Sequence, residues 1–164
     1  MAYSSHLSFG PDDEPAGPLP PARAEPGRWP RLAAALAVVN RDLTTSLLGL
    51  EGLVFMVRRA GSGSPSGGHG SEQPYLAMAA GSPFGEPVDP DGAEPFLLRV
   101  AEAVQQTVME ELRLVWPACP AHRIGLHPRS ADQAVVWWCG SGGGHEHSPV
   151  GALEADAAPL ELPD

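Results

Sequence analysis

The side chains best suited to chemistry are two cysteines and their neighbouring histidines in the last third of the chain. Cys119 is separated from His122 by Pro120 and Ala121, and Cys139 follows further along, ahead of a pair of histidines. Cysteine thiolates and histidine imidazoles are the ligands that Zn²⁺ prefers in tetrahedral sites, and a cysteine followed closely by a second ligand is a common half-site. The pattern predicts a zinc site with four ligands: Cys119, His122, Cys139 and either His145 or His147, of which His145 is the first choice.

The second half of this predicted site departs from the usual spacing. Gly142, which stands three residues after Cys139, has no ligand atom, and His145 follows only after a run of small residues. Such a run can fold back towards the other ligands, although ordering it costs conformational entropy. Two interpretations therefore stay open: a structural zinc site, or a hairpin without metal that is held by packing of Trp116, Trp137 and Trp138 against the helix.

The same segments carry a resemblance to other proteins. Two segments resemble the zinc-ribbon-like C-terminal hairpin of uncharacterised small proteins from GC-rich bacteria. They are Trp116-Pro117-Ala118-Cys119-Pro120-Ala121-His122 and Val136-Trp137-Trp138-Cys139. The resemblance covers about a quarter of the chain. It implies a ribbon-like fold for the C-terminal part and no particular activity.

Sequence signatures of enzymes are missing. The chain has no nucleophile elbow, phosphate-binding loop or dinucleotide fingerprint. His145-Glu146-His147 lacks the His-Glu-x-x-His spacing of helical metalloproteases, so a structural zinc ion is favoured. The alternative is a small metal-dependent hydrolase in which Cys119, His122 and Cys139 bind the metal and Glu146 is the base.

The charge is strongly acidic. Asp and Glu number 20 against 10 basic residues, all of them Arg, which gives a net charge of -10. Affinity for a nucleic-acid backbone comes largely from Lys and Arg, so a nucleic-acid partner is not expected. The charge instead favours a protein partner with a basic surface. An adaptor is the first interpretation, and an acidic inhibitor or immunity-type protein is another.

The sequence also predicts the compartment. No apolar run reaches the roughly 20 residues that a spanning helix needs, and the first residues include Asp12, Asp13 and Glu14 where a secretory signal would be basic and then apolar. We therefore expect no membrane partner and a cytoplasmic protein. In that reducing compartment two cysteines are better explained as thiols or metal ligands than as a disulfide.

Two helices should position the site. Apolar residues recur at helical spacing after Pro30, in the series Leu32, Leu36, Val39 and Leu43, and the residues 40–42 should mark the hydrated end of this helix. A second stripe predicts a helix over 96–116, ended by Pro117, with Asp91 and Glu94 as a capping box. In this second helix Gln105 should lie off the apolar face.

Strands complete the predicted fold. Residues 53–57 and 75–80 should pair as antiparallel strands across a Gly- and Ser-rich loop, and 124–126 and 134–138 should form the C-terminal hairpin, with His127 in a turn. The predicted fold class is α+β: two amphipathic helices on a small antiparallel sheet, with a C-terminal zinc-ribbon-like β-hairpin. The predicted divisions are a disordered Pro-rich arm (1–27), a small α+β domain (28–116), the ribbon-like hairpin (117–153) and an acidic tail (154–164).

Overall fold

The computed structural model describes residues 21–58, 72–79, 85, 87–157 and 159–161. Most of the predicted arm and of the predicted Gly- and Ser-rich loop lies outside these residues. The elements in chain order are β1 (Ala22–Arg23), α1 (Pro30–Ser46), β2 (Val54–Arg58), β3 (Gln73–Ala77), α2 (Phe96–Leu112), β4 (Leu114–Val115), β5 (Leu126–Ala131), β6 (Ala134–Cys139), β7 (His145–Pro149) and β8 (Leu160–Glu161). The predicted α+β class is confirmed.

Three antiparallel sheets contain these strands. One has the order β1-β2-β3, one pairs β4 with β8, and one has the order β5-β6-β7. The predicted antiparallel pairing of the first two long strands is confirmed, because Phe55 faces Leu76 across β2 and β3. Ala22–Arg23, which the sequence assigns to the disordered arm, pairs with Met56 and Val57 of β2.

Helix α1 begins where the sequence predicts. Proline suits the first turn of a helix because the missing amide would have no partner there, and Pro30 is the first residue of α1. The predicted apolar stripe is buried along its whole length. The prediction of a hydrated end is wrong for Asp42, whose side chain is only 1% exposed.

A carboxylate holds α1 against the C-terminal part of the chain. Asp42 Oδ2 accepts hydrogen bonds from Trp137 Nε1 at 2.8 Å and from the Gly151 amide at 2.6 Å. Asp42 Oδ1 accepts another from the Leu153 amide at 2.8 Å. A buried charge is tolerated when hydrogen bonds replace its water, and these three donors do so.

Helix α2 ends earlier than predicted. Leu112 is its last residue, because Arg113 adopts the left-handed conformation at φ 55 and the chain continues into β4 instead of reaching Pro117 as a helix. The predicted capping box is also wrong: Pro95 is the N-cap residue and no side chain caps the helix, whereas the Asp91 amide donates to Asp89 Oδ1. Val100, Val104 and Val108 are buried, as the predicted stripe requires.

The C-terminal part is a three-stranded meander. Strand β5 runs to Ala131, well beyond the predicted end at Leu126, so His127 lies in a strand and the prediction of a turn there is wrong. Strand β6 pairs with β5 on one side and with β7 on the other. Of the two predicted hairpin strands, 134–138 lies within β6 and 124–126 reaches only the start of β5. Strand β7, which the sequence did not predict, forms a further C-terminal hairpin with β6.

One hydrophobic cluster runs through both helices and the C-terminal sheet. It contains residues of α1, β2 and α2 together with Trp116, Cys119, Trp137 and Cys139. The rings of Trp116 and Trp137 meet edge to face with centroids 5.5 Å apart, a favourable arrangement for aromatic pairs. The cluster therefore crosses the predicted boundary at residue 117, and the division into domains stays a prediction.

The predicted acidic tail is partly packed. Ala157 is buried, and the backbone of Leu160–Glu161 pairs with Leu114–Val115 as strand β8. Among the described residues no helix is both long and apolar enough to span a membrane.

Candidate metal centre

A tight turn after Trp116 carries the first two predicted ligands. The Cys119 amide donates to the Ile124 carbonyl at 2.8 Å, and the Arg123 amide donates to the Cys119 carbonyl at 2.8 Å. Arg123 is in the left-handed region at φ 53, which lets the chain reverse within a few residues. Cys119 and His122 therefore project from a single backbone loop, as their spacing predicts.

A second turn brings in the other two ligands. Cys139 ends β6 and His145 begins β7, and the two residues face each other across the ladder. Between them Gly142, Gly143 and Gly144 have φ values of 64, 92 and 80. Residues other than glycine rarely adopt such φ values, so the three glycines allow this turn.

The four side chains converge on one point. Cys119 Sγ lies 3.6 Å from His122 Nδ1 and 3.8 Å from His145 Nε2, and Cys139 Sγ lies 3.4 Å from His122 Nδ1. All four ligand atoms lie within 4.8 Å of one another. The structure thus brings together the four residues that the sequence singles out, and a metal ion could bind among them.

These separations match the size of a tetrahedral site. With metal bonds of about 2.3 Å to sulfur and about 2.1 Å to nitrogen, neighbouring S and N ligand atoms are about 3.6 Å apart and two sulfurs are about 3.8 Å apart. The measured S···N distances of 3.4–3.8 Å fall around the first value. The longest separation in the set, up to 4.8 Å, needs only a small inward movement of the side chains.

His147 and Glu146 are not among these ligands. The group of candidate metal ligands in the described residues contains His145 alone from β7. The ladder between β6 and β7 is irregular next to Trp138, which faces Glu146, and Ser148 faces Trp137. Glu146 itself is exposed.

The two kinds of ligand differ in burial. Cys119 and Cys139 are 1% and 0% exposed, whereas His145 is half-buried and His122 is exposed. Without metal, burial raises the pKa of the Cys139 thiol, and the adjacent Cys119 raises it further, while a hydrogen bond from the Ser141 backbone lowers it. Binding a cation offsets the cost of keeping thiolates in this buried position.

Buried side chains outside the ligand group hold the first turn in place. Gln105 of α2 donates to the Trp116 carbonyl at 3.0 Å and also to the Leu126 carbonyl, on either side of the first turn. Trp116 Nε1 donates to Ser46 Oγ at 2.7 Å. The prediction that Gln105 lies off the apolar face is wrong, because the helix buries its side chain against these carbonyls.

The adjacent tryptophans point in different directions, as alternation along a strand requires. Trp137 is fully buried, and Trp138 is half-buried with the Arg129 guanidinium 4.8 Å from the centre of its ring. Trp138 also lies against the glycine turn, since a methyl group on Gly144 would be 2.6 Å from its Cζ2 atom.

No protein family, curated protein or solved structure matches this chain.

Proposed function

We propose that the chain is a non-enzymatic protein-interaction module whose C-terminal sheet is held by a structural zinc ion. The observation that carries the proposal is the convergence of Cys119, His122, Cys139 and His145, with all four ligand atoms within 4.8 Å. Zinc fits because two sulfur and two nitrogen donors in a tetrahedral set are typical of its structural sites. A reducing compartment such as the cytoplasm keeps both thiols available for it.

The ligand count favours a structural role over a catalytic one. A catalytic zinc ion usually has three protein ligands and keeps one position for water or substrate. Here His145 supplies a fourth ligand atom, so no position is left for a substrate. The hydrolase alternative requires His145 to be replaced by water that Glu146 activates.

Two features support a protein partner. The net charge of -10 provides long-range attraction for a basic surface, and the side chain of Leu48, next to the end of α1, is 87% exposed. Leu48 stands beside the half-buried Leu47 and Leu50, and contiguous exposed apolar surface is common at contact sites. A zinc-loaded sheet would present its surface to such a partner in a fixed shape.

Cobalt substitution tests the ligand set. Co²⁺ in a tetrahedral site with two thiolates has intense visible absorption. His145→Ala should weaken or shift this absorption, whereas His147→Ala should have the same spectrum as the unchanged protein. Equal spectra for the unchanged chain and both variants would exclude His145 as a ligand. Equal loss in both variants would contradict the assignment of His145 over His147.

Hydrolysis assays separate the two functions. The proposed module shows no metal-dependent hydrolysis of ester, amide or phosphoester probes, and Glu146→Gln changes neither zinc content nor partner binding. Zinc-dependent turnover that is lost in Glu146→Gln would overturn the proposal in favour of the hydrolase. A partner captured by the zinc-loaded chain should be released by salt, which screens charge, and by a chelator.

A further inference from the structure

The chain has only two cysteines, and both are in the candidate metal centre. Their Sγ atoms lie within 4.8 Å of each other, whereas the sulfurs of a disulfide are about 2.05 Å apart. Cys119 and Cys139 are therefore close enough to pair after a modest movement. Within one chain neither has another thiol to react with.

The core holds the two thiols near each other independently of a metal. Cys119 follows Trp116, whose indole donates to Ser46 of α1, and Cys139 follows Trp137, whose indole donates to Asp42 of the same helix. Both anchors are buried contacts between side chains distant in sequence. Loss of the ion would leave these anchors in place, so the sulfurs would stay neighbours.

The outer side of the centre has little covering. His122 is exposed, and Gly142 lies against it, since a methyl group on Gly142 would be 3.4 Å from His122 Nε2. A methyl group on Gly140 or Gly143 would meet nothing within 4 Å. One imidazole and a turn whose only side chain is that of Ser141 therefore stand beside the buried sulfurs on this side, and a small oxidant can pass when the ring of His122 moves aside.

We propose that a hydroperoxide oxidises Cys119 and Cys139 to a disulfide and thereby releases the metal. This inference rests on the proposed zinc centre and adds a regulation to it. One thiolate attacks the peroxide, so that an S–O bond forms, the O–O bond breaks and hydroxide (or, for an organic hydroperoxide, alkoxide) leaves. The second thiolate attacks this sulfenic sulfur, so that the S–S bond forms and a second hydroxide leaves.

The electrons and the charge balance without a further reagent. The two sulfurs together lose two electrons, and one hydrogen peroxide gains them and becomes two waters after the hydroxides take protons from solvent. The zinc ion does not change its oxidation state. A disulfide has no thiolate to offer, so the ion keeps only His122 and His145 and dissociates.

The experiment uses the full zinc-loaded chain and hydrogen peroxide. Zinc content is measured first, and release is then followed with a colorimetric zinc indicator. Trypsin cleaves after Arg113, Arg123 and Arg129, and no Arg or Lys follows Arg129. In a digest without reductant the disulfide should therefore join peptide 114–123, which contains Cys119, to peptide 130–164, which contains Cys139. We expect zinc to be released stoichiometrically and this linked pair of peptides to appear at the same rate. Zinc binding should recover after reduction.

Other results overturn the inference. Zinc retained at peroxide concentrations that oxidise the half-buried Met109 would do so. Release that leaves both cysteines as separate sulfinic acids, or that links two chains, would also overturn it. The peptide map of the unchanged chain decides this without any substitution, so the result does not depend on whether a cysteine variant folds. A purified chain that holds no zinc before peroxide refutes the proposed function, whereas zinc that is present but insensitive to peroxide refutes this inference alone.

Discussion

Replacing the buried carboxylate of Asp42 by an amide should be among the most damaging conservative changes in the chain. In Asp42→Asn the single amide oxygen can still accept from Trp137 Nε1 and the Gly151 amide, which share Oδ2 in the unchanged protein. The amide nitrogen then faces the Leu153 amide, which donates to Oδ1. Two donors are left facing each other in a buried position.

The cost follows from these contacts. A buried donor without an acceptor costs about 1–3 kcal/mol, and hydrogen bonds to a neutral acceptor are about half as strong as those to a charged one. We therefore expect Asp42→Asn to lower the free energy of unfolding by about 3 kcal/mol. Small domains are stable by about 5–15 kcal/mol, so the variant should still fold and be measurable.

Urea denaturation followed by tryptophan fluorescence is the assay. Free zinc is buffered at one value for all proteins, since metal binding adds to the free energy of unfolding. Asp156→Asn makes the same chemical change at an exposed position and should cost less than about 0.5 kcal/mol. If Asp42→Asn is no less stable than Asp156→Asn, the assignment of Asp42 as the acceptor of three buried hydrogen bonds is refuted.

Two further changes have expected outcomes. Gly144→Ala and Gly143→Ala both place a side chain at positive φ, but only at Gly144 does the new methyl overlap Trp138. Gly144→Ala should therefore lower the free energy of unfolding by about 1–3 kcal/mol more than Gly143→Ala, and should weaken zinc binding more in chelator competition. Equal losses in the two variants would contradict this contact. Partial burial, with a contribution from the charge of Glu94, raises the pKa of Glu102. The ionised form of Glu102 is therefore disfavoured in the folded state, and stability is lost as the pH rises through that raised pKa. Glu102→Gln should therefore match the unchanged chain below about pH 4 and be more stable at neutral pH, and thermal melts in chelator that show the opposite sign would refute the argument.

The ligands of the candidate centre could be predicted because their residue types are rare and chemically specific. Cys119 and Cys139 are the only cysteines, and the histidines beside them complete a familiar donor set. The choice between His145 and His147 depended on the backbone of the glycine turn, which spacing alone does not determine. The stripes on both helices were visible for a different reason, since burial of one helix face leaves a period in the sequence.

The buried polar residues could not be predicted in this way. Asp42 lies 95 residues from Trp137 and 111 from Leu153, so its acceptor role exists only once the tertiary fold has formed. Gln105 likewise finds its carbonyl partners on a segment that follows α2. The full length of strand β5 could not be predicted, because much of the strand is exposed and its sequence, with Pro128 and Arg129, lacks apolar alternation.

The metal content of the purified chain tests the central claim most directly. Zinc is measured by elemental mass spectrometry in the unchanged protein, in Cys119→Ser and in His127→Ala, the last being an exposed histidine outside the candidate ligand group. The account predicts about one zinc ion per chain in the unchanged protein and in His127→Ala, and almost none in Cys119→Ser. No zinc in the unchanged protein, or equal zinc in all three, would contradict it.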